Sequence, residues 1–339
     1  MRVTRPIRIT RDKTRCASER ELAPLHRDFE RRNFVRLPAM IDRRLLRAIS
    51  THLEHADFSH VEHRGFGRDL SMPPNVASAA LNFLLNDPAL FGAIRAITGC
   101  ARIGSFAGRV YRVADQDGLG LEWHDDAVRD RLVALSLNVG AGTFRGGWLE
   151  LRDRTAGRIV ARVKNRGFGD AILFRIGPAL EHRNSPVTGS AAKTAFAGWF
   201  MSRPDYTSAA RRELRHPPTG GDAARRRKAL AVHGSPQTIA RAKIPPTIVW
   251  RRIGDETLVI DLKNGNSYRL DEMGGKIWRM LAKANGPTAI SRALVAEYDI
   301  APTKVRGDID LMLRDLVRSG LIEPQSEPSK LRKIGLARL

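Results

Sequence analysis

One stretch limits how this chain can fold: from Arg203 to Lys243 it is polar and basic, punctuated by Pro217-Pro218, Gly220-Gly221 and Gly234-Ser235-Pro236. Such a segment cannot bury enough apolar surface to offset the entropy of ordering it, so it reads as a linker. The 339 residues then divide into two folded domains, each with its own core. The expected organisation is a basic mobile arm over 1–20, a first domain over 21–202, the linker over 203–243, a second domain over 244–325 and a basic tail over 326–339.

The first domain opens helical and continues in strands. Ile41, Leu45, Leu46, Ile49 and Leu53 recur at helical spacing, and Leu81, Phe83, Leu84, Phe91, Ile94 and Ile97 form a second apolar set. Phe34 to Leu37 reads as a short strand stopped by Pro38. After Cys100 the period changes. The runs Ile103–Val113, Leu132–Val139, Trp148–Leu151, Arg158–Val163, Ala171–Phe174 and Thr194–Met201, separated by Gly- or Asp-rich turns, predict an antiparallel sandwich or barrel. In the second domain Thr247–Arg252, Thr257–Asp261 and Ser267–Leu270 alternate like strands around the turn signals Gly254-Asp255 and Asn264-Gly265. Three helices follow, marked by Met273, Ile277 and Leu281, by Ile290 and Leu294, and by Val305, Ile309, Met312, Leu313 and Leu316. The predicted class is α+β in two domains, the second a small winged-helix-like unit of three strands and three helices.

Composition narrows the setting. No run of about 18 apolar residues occurs and the N-terminus lacks an apolar stretch, so neither a membrane span nor a secretory signal is expected, and a cytoplasmic location follows. The only cysteines, Cys16 and Cys100, are too few for a disulfide framework or a thiolate metal site. A formal charge of +22 attracts acidic partners without choosing among nucleic acid, lipid and peptide.

Two imidazoles and one carboxylate can hold Fe(II) on one face and leave three positions open. His124-Asp125-Asp126 and His182 supply that set. Around them stand the strand ending in Leu137-Asn138, then Phe144-Arg145-Gly146-Gly147-Trp148-Leu149, Gly169-Asp170-Ala171-Ile172-Leu173-Phe174, Pro186-Val187-Thr188-Gly189, and Lys193 shortly before Gly198-Trp199-Phe200. Taken singly, each has a plain structural reading: a satisfied loop histidine, a turn aspartate, a solvated lysine. In this order they resemble the Fe(II)/2-oxoglutarate-dependent dioxygenases of the prolyl-4-hydroxylase-like branch, closely over 100–201 and more loosely over 25–99. The resemblance implies a double-stranded β-helix (jelly-roll) core with N-terminal helices. It implies that His124, Asp126 and His182 ligate Fe(II), and that Lys193 binds the distal carboxylate of 2-oxoglutarate through a charge-assisted hydrogen bond. Tyr111, Ser136 and Thr188 would line the cosubstrate pocket, O2 would be the oxidant, and ascorbate a supporting reductant. Asp125 is expected to point away from the metal. Ser190-Ala191-Ala192 make the interval from His182 to Lys193 one residue longer than the commonest pattern, which predicts a bulge. Retention of Asp126 argues against halogenation, because halogenating relatives carry a small residue there.

Val249-Trp250-Arg251-Arg252, Ser267-Tyr268-Arg269-Leu270-Asp271, Gly274-Gly275-Lys276-Ile277-Trp278 and Ser319-Gly320-Leu321-Ile322 resemble a PqqD-like domain over about 245–324. That family includes elements that bind leader peptides of ribosomally synthesised, post-translationally modified peptides (RiPPs). The resemblance implies that a leader adds as a strand beside Ser267, Tyr268, Arg269 and Leu270 and packs on the third helix. Arg306 and Arg314 would meet leader acids, and Leu313 or Leu311 would offer an apolar contact; Trp278 reads as core. Joined, the two resemblances imply a RiPP-tailoring dioxygenase that hydroxylates a residue of a ribosomal precursor peptide, with neither nucleic acid nor membrane as partner. Two other readings fit parts of the sequence: a nucleic-acid dealkylating dioxygenase, from the charge, and a non-catalytic peptide-binding protein with a degenerate oxygenase core, from the extra residue before Lys193.

Overall fold

The computed structural model describes residues 5–63, 67–115, 120–128, 130–165, 167–206, 239, 241–298 and 300–325. Most of the stretch read as a linker, and the whole tail over 326–339, lie outside the described residues. Two compact units result, one drawn chiefly from the chain before that stretch and one chiefly from the chain after it. Among the described residues no helix is long and apolar enough to cross a membrane.

The first unit runs β1 (Ile7–Ile9), β2 (Thr14–Cys16), α1 (Glu19–Arg32), β3 (Phe34–Leu37), α2 (Arg43–Glu54), β4 (Ser59–His63), β5 (Gly67–Ser71), α3 (Val76–Leu85), α4 (Pro88–Thr98), β6 (Ser105–Val113), β7 (Gly120–Leu121) and β8 (Arg131–Asn138). It continues through β9 (Arg145–Gly146), β10 (Leu149–Asp153), β11 (Ile159–Val163), β12 (Ala171–Arg175), β13 (Leu180–Asn184), β14 (Val187–Thr188) and β15 (Lys193–Met201). The major sheet has the order β3-β12-β8-β15-β6-β5-β4, with β7 beside β5; the minor sheet is β11-β10-β13, beside a β9-β14 ribbon. The inner faces meet in one buried cluster, Ala134, Ile172 and Phe174 from the major sheet against Leu149, Leu151 and Val163 from the minor. This is a double-stranded β-helix with a helical preface.

Two devices keep the major sheet regular. Strand β5 reaches β6 only at Leu70–Arg112 and Ser71–Tyr111. Beyond that point the side chains of Asn86 and Asn82 act as a substitute strand: each amide accepts from and donates to the backbone of Phe106 and Gly108 respectively, at 2.8–3.0 Å. Gly198 lies opposite Gly108 in the β15–β6 register, and a Cβ there would stand 2.1 Å from the Ala107 carbonyl oxygen. The glycine of Gly-Trp-Phe is therefore set by strand contact.

The segment expected as a mobile arm is ordered over residues 7–16. Ile7 pairs with Cys16 and Ile9 with Thr14, Ile7 and Ile9 are buried, and the Ile9 backbone bonds Met40 and Asp42 at 2.8 Å each. A three-residue strand is too short to display a period, and Arg8 between its two isoleucines hides it in the basic composition of the segment.

The chain from Arg241 onward forms β16 (Arg241–Lys243), β17 (Ile248–Ile253), β18 (Glu256–Asp261), β19 (Ser267–Leu270), α5 (Glu272–Ala282), α6 (Pro287–Tyr298), α7 (Pro302–Arg318) and β20 (Glu323–Gln325). Its sheet has the order β17-β18-β19, leaving β19 at an edge. Arg241–Lys243, expected at the end of the linker, form a strand with β20. Trp278 is fully buried, as its core reading requires.

Candidate active site

The minor sheet and the loop before β8 bring the three expected ligands together. His182 sits on β13 with Leu151 opposite it, and exchanges backbone hydrogen bonds with His124 at 2.7 and 3.2 Å. The two rings lie 4.2 Å apart. His124 Nδ1 is 2.7 Å from the Glu122 carbonyl, a contact that places the proton on Nδ1 and leaves Nε2 as the unprotonated nitrogen a metal would need. Burial, and next the neighbouring His182 ring, hold the His124 imidazole below its ordinary pKa, which favours the neutral form a metal needs.

Asp126 reaches the histidines from a strained backbone. Its φ is +54°, a left-handed conformation that costs roughly 1–2 kcal/mol in a non-glycine residue. Its Oδ2 lies 3.2 Å from His182 Nε2 and 4.0 Å from His124 Nε2. The major sheet supplies two donors: Trp199 Nε1 to Oδ2 at 2.9 Å and Arg131 Nη1 to Oδ1 at 3.0 Å. The Arg131 guanidinium stacks 3.4 Å from the centre of the Trp199 ring. Burial alone would raise the carboxyl; the His182 hydrogen bond, the two imidazoles and the indole outweigh it and bring the pKa to about 2. The Asp125 carboxylate is engaged elsewhere, accepting from Arg154 Nη1 at 3.0 Å and from the Ala127 amide at 3.0 Å.

Two imidazole nitrogens and an ionised carboxylate, all within 4.8 Å of one another, fit a facial site for Fe(II). They open onto a cavity of about 380 Å³ whose wall includes Tyr111, Ser136, Asn184, Arg109 and Trp199. Tyr111 and Ser136 thus line the cavity. Thr188 does not line it: alternation along β14 turns Val187 inward and leaves Thr188 exposed, which corrects its expected pocket role. Lys193 stands one residue behind the wall. Its ammonium donates to the Gly147 carbonyl at 3.0 Å and to Asn184 Oδ1 at 2.5 Å. Burial, and next the like charge of Lys164, depress its pKa to about 7. The extra residue before Lys193 makes no bulge in β15, which pairs with β6 residue for residue from Lys193 to Met201. The bends after β14 absorb it, with Gly189 at φ +97°.

Sequence reasoning missed Asn184, Arg131 and the Asp69–Arg109 pair. The fully buried Asp69 holds both terminal nitrogens of Arg109 at 2.7 and 3.2 Å, and the Ser71 hydroxyl also meets the guanidinium. Asn184 follows His182 by two, so strand alternation, with the histidine as anchor, is the one signal that could have found it.

On β19 Ser267 and Arg269 are exposed, while Tyr268 and Leu270 are half-buried. Leu313, expected at the leader surface, is 0% exposed and belongs to the core, whereas Leu311 is 52% exposed. The cause is helical phase: Val305, Ile309, Leu313 and Leu316 share the buried face of α7, and Leu311 lies about 200° from Leu313. Arg306 is exposed and Arg314 half-buried on the same helix. Leu270 and Met312 approach each other across Gly274: a Cβ there would lie 3.5 Å from Leu270 Cβ and 3.6 Å from Met312 Cε.

Residues 108–201 match the 2OG-Fe(II) oxygenase superfamily, and residues 256–322 match Coenzyme PQQ synthesis protein D (PqqD). The chain joins a 2OG-Fe(II) oxygenase domain to a PqqD domain. A 2OG-Fe(II) oxygenase domain implies Fe(II), 2-oxoglutarate and O2. No curated protein matches the chain. Among solved structures, TbiB1 in complex with the TbiA(beta) leader peptide is 32% identical, covering 25% of this chain and 99% of its own, at a TM-score of 0.24. A Pseudomonas putida prolyl-4-hydroxylase is 19% identical, covering 54% of this chain and 99% of its own, at 0.41. A lasso peptide synthetase B1 complexed with its leader peptide is 21% identical, covering 25% of this chain and 100% of its own, at 0.24.

Proposed function

We propose that this oxygenase hydroxylates a C–H bond in a ribosomal precursor peptide whose leader is bound by the PqqD domain. The observation that carries the reading is the presence of both matches in one chain: a cavity with a complete His-Asp-His donor set, and a PqqD domain with an edge strand beside a helix. His124, Asp126 and His182 would hold Fe(II), and Lys193 would take the distal carboxylate of 2-oxoglutarate. The loaded site supplies oxygen activation in the balance R–H + 2-oxoglutarate + O2 → R–OH + succinate + CO2. The chain's own residues set the conditions for it. Asp126 stays ionised through its two donors and the imidazoles, Tyr111 and Ser136 offer hydroxyls to the cosubstrate, and Phe174 and Leu149 keep the inner wall apolar.

In the PqqD domain the proposed leader surface is the outer edge of β19, with Arg269 exposed on it, and the side of α7 carrying the exposed Arg306 and Leu311 and the half-buried Arg314. Main-chain bonds to the edge give affinity, and the side chains on α7 give selectivity. The test removes residues 245–339. Succinate formation without peptide should persist, while turnover of full-length precursor should fall sharply; unchanged precursor turnover would exclude leader recruitment.

A further inference from the structure

Asn184 touches both Lys193 and Tyr111. On β13 it follows His182 by two residues, faces inward like the histidine, and stands opposite Leu149. Its Oδ1 accepts from Lys193 at 2.5 Å and its Nδ2 donates to Tyr111 Oη at 3.4 Å. The second acceptor of the ammonium is the Gly147 carbonyl. Both acceptors are neutral, and among the described residues no carboxylate pairs with Lys193. A buried ammonium held by neutral oxygens keeps its charge uncompensated, so it retains its attraction for an incoming carboxylate. An amide side chain can accept from the ammonium at one end and donate from the other. Asn184 lines the cavity and Lys193 lies behind it, so a ligand in the cavity meets the amide, and the ammonium stands directly behind that amide, bonded to its Oδ1.

We propose that Asn184 is a positioning residue for 2-oxoglutarate: it aims the Lys193 ammonium at the distal carboxylate and turns its own N–H donor toward the same group. This rests on the reading of Lys193 as the cosubstrate's partner. It also accounts for an amide in this position, because a carboxylate at 184 would pair with Lys193 and repel the ligand.

The test separates the two ends of the cosubstrate. 2-Oxoglutarate and 2-oxobutyrate, which shares the 2-oxo acid head and lacks the distal carboxylate, are titrated calorimetrically into the Fe(II)-loaded full-length protein without oxygen. Asn184→Ala and Asn184→Asp should each raise the Kd for 2-oxoglutarate about ten- to hundredfold, the aspartate more. Both should leave 2-oxobutyrate within about twofold. Equal losses for both ligands would make Asn184 part of the wall and overturn the proposal, as would an unchanged Kd for 2-oxoglutarate. Lys193→Ala identifies the level of failure. If it leaves 2-oxoglutarate binding intact, the reading of Lys193 is wrong and the proposal falls with it; if it alone weakens 2-oxoglutarate selectively, only the Asn184 assignment falls. Should the alanine variant not fold, the isosteric aspartate decides.

Discussion

Asp126 is oriented by donors from the opposite sheet. With a strained φ of +54° its carboxylate depends on Trp199 and Arg131 to stay between the histidines. Trp199→Phe keeps the ring and removes the N–H. It should weaken Fe(II) binding about ten- to hundredfold, read by competition with a chelating dye; unchanged affinity would mean the indole orients nothing. Lys193 predicts two opposite pH responses. Its folded pKa of about 7 lies below the ordinary 10.5, so between these values the unfolded chain binds more protons than the folded one. The stability of the cosubstrate-free protein should therefore rise with pH across about 7 to 10.5. On the proposed role of Lys193, binding of 2-oxoglutarate needs the ammonium, so its affinity should instead fall by up to about tenfold per pH unit above 7, until the pKa of the liganded state is reached. Denaturant melts and calorimetry over pH 6.5 to 9 read both; a flat affinity profile would detach Lys193 from the cosubstrate. The expected ligands were legible because His-x-Asp, a distant His and a cation before Gly-Trp-Phe are ordered along the chain. Asn184 and Arg131 were not, since their roles arise from strand alternation and from a contact between sheets.

At the scale of elements, the open part of β6 depends on two asparagines. Asn86→Ala would leave the Phe106 N–H and C=O without the side-chain bonds seen at 2.8 Å. Each buried orphan costs about 1–3 kcal/mol, so a loss of about 2–4 kcal/mol is expected in urea unfolding; a loss below about 0.5 kcal/mol would show that this edge does not depend on the amide. The minor sheet has a comparable fixture on its outer face. Glu150 is 2% exposed and accepts from Arg162 Nε at 2.7 Å and Arg183 Nε at 2.9 Å, tying together the three strands of the sheet to which His182 belongs. Long strands and helices with a clear period were readable from sequence. The β1–β2 hairpin was too short to show one, and on α7 the choice between Leu311 and Leu313 needed the helix phase relative to its core.

For the whole molecule, the consequence is kinetic. A leader held on the PqqD domain makes delivery of the attached core peptide intramolecular, at an effective concentration in the millimolar range for a short flexible connection. On the proposed function the oxygenase cavity would need little affinity of its own for the peptide, because the other domain would supply recruitment. Leader recruitment acts on binding and leaves the iron site unchanged, so its loss should appear in KM. A leaderless core peptide should show a KM at least about a hundredfold above that of the full precursor, with kcat within about threefold. Leu311→Asp, which places a charge on the exposed face of α7, should move the KM of the full precursor toward the leaderless value and leave the leaderless reaction untouched. Steady-state oxygen consumption with both peptides measures all four constants. Equal KM values for the two peptides, or a Leu311→Asp effect of the same size on both, would show that the PqqD domain does not deliver the substrate.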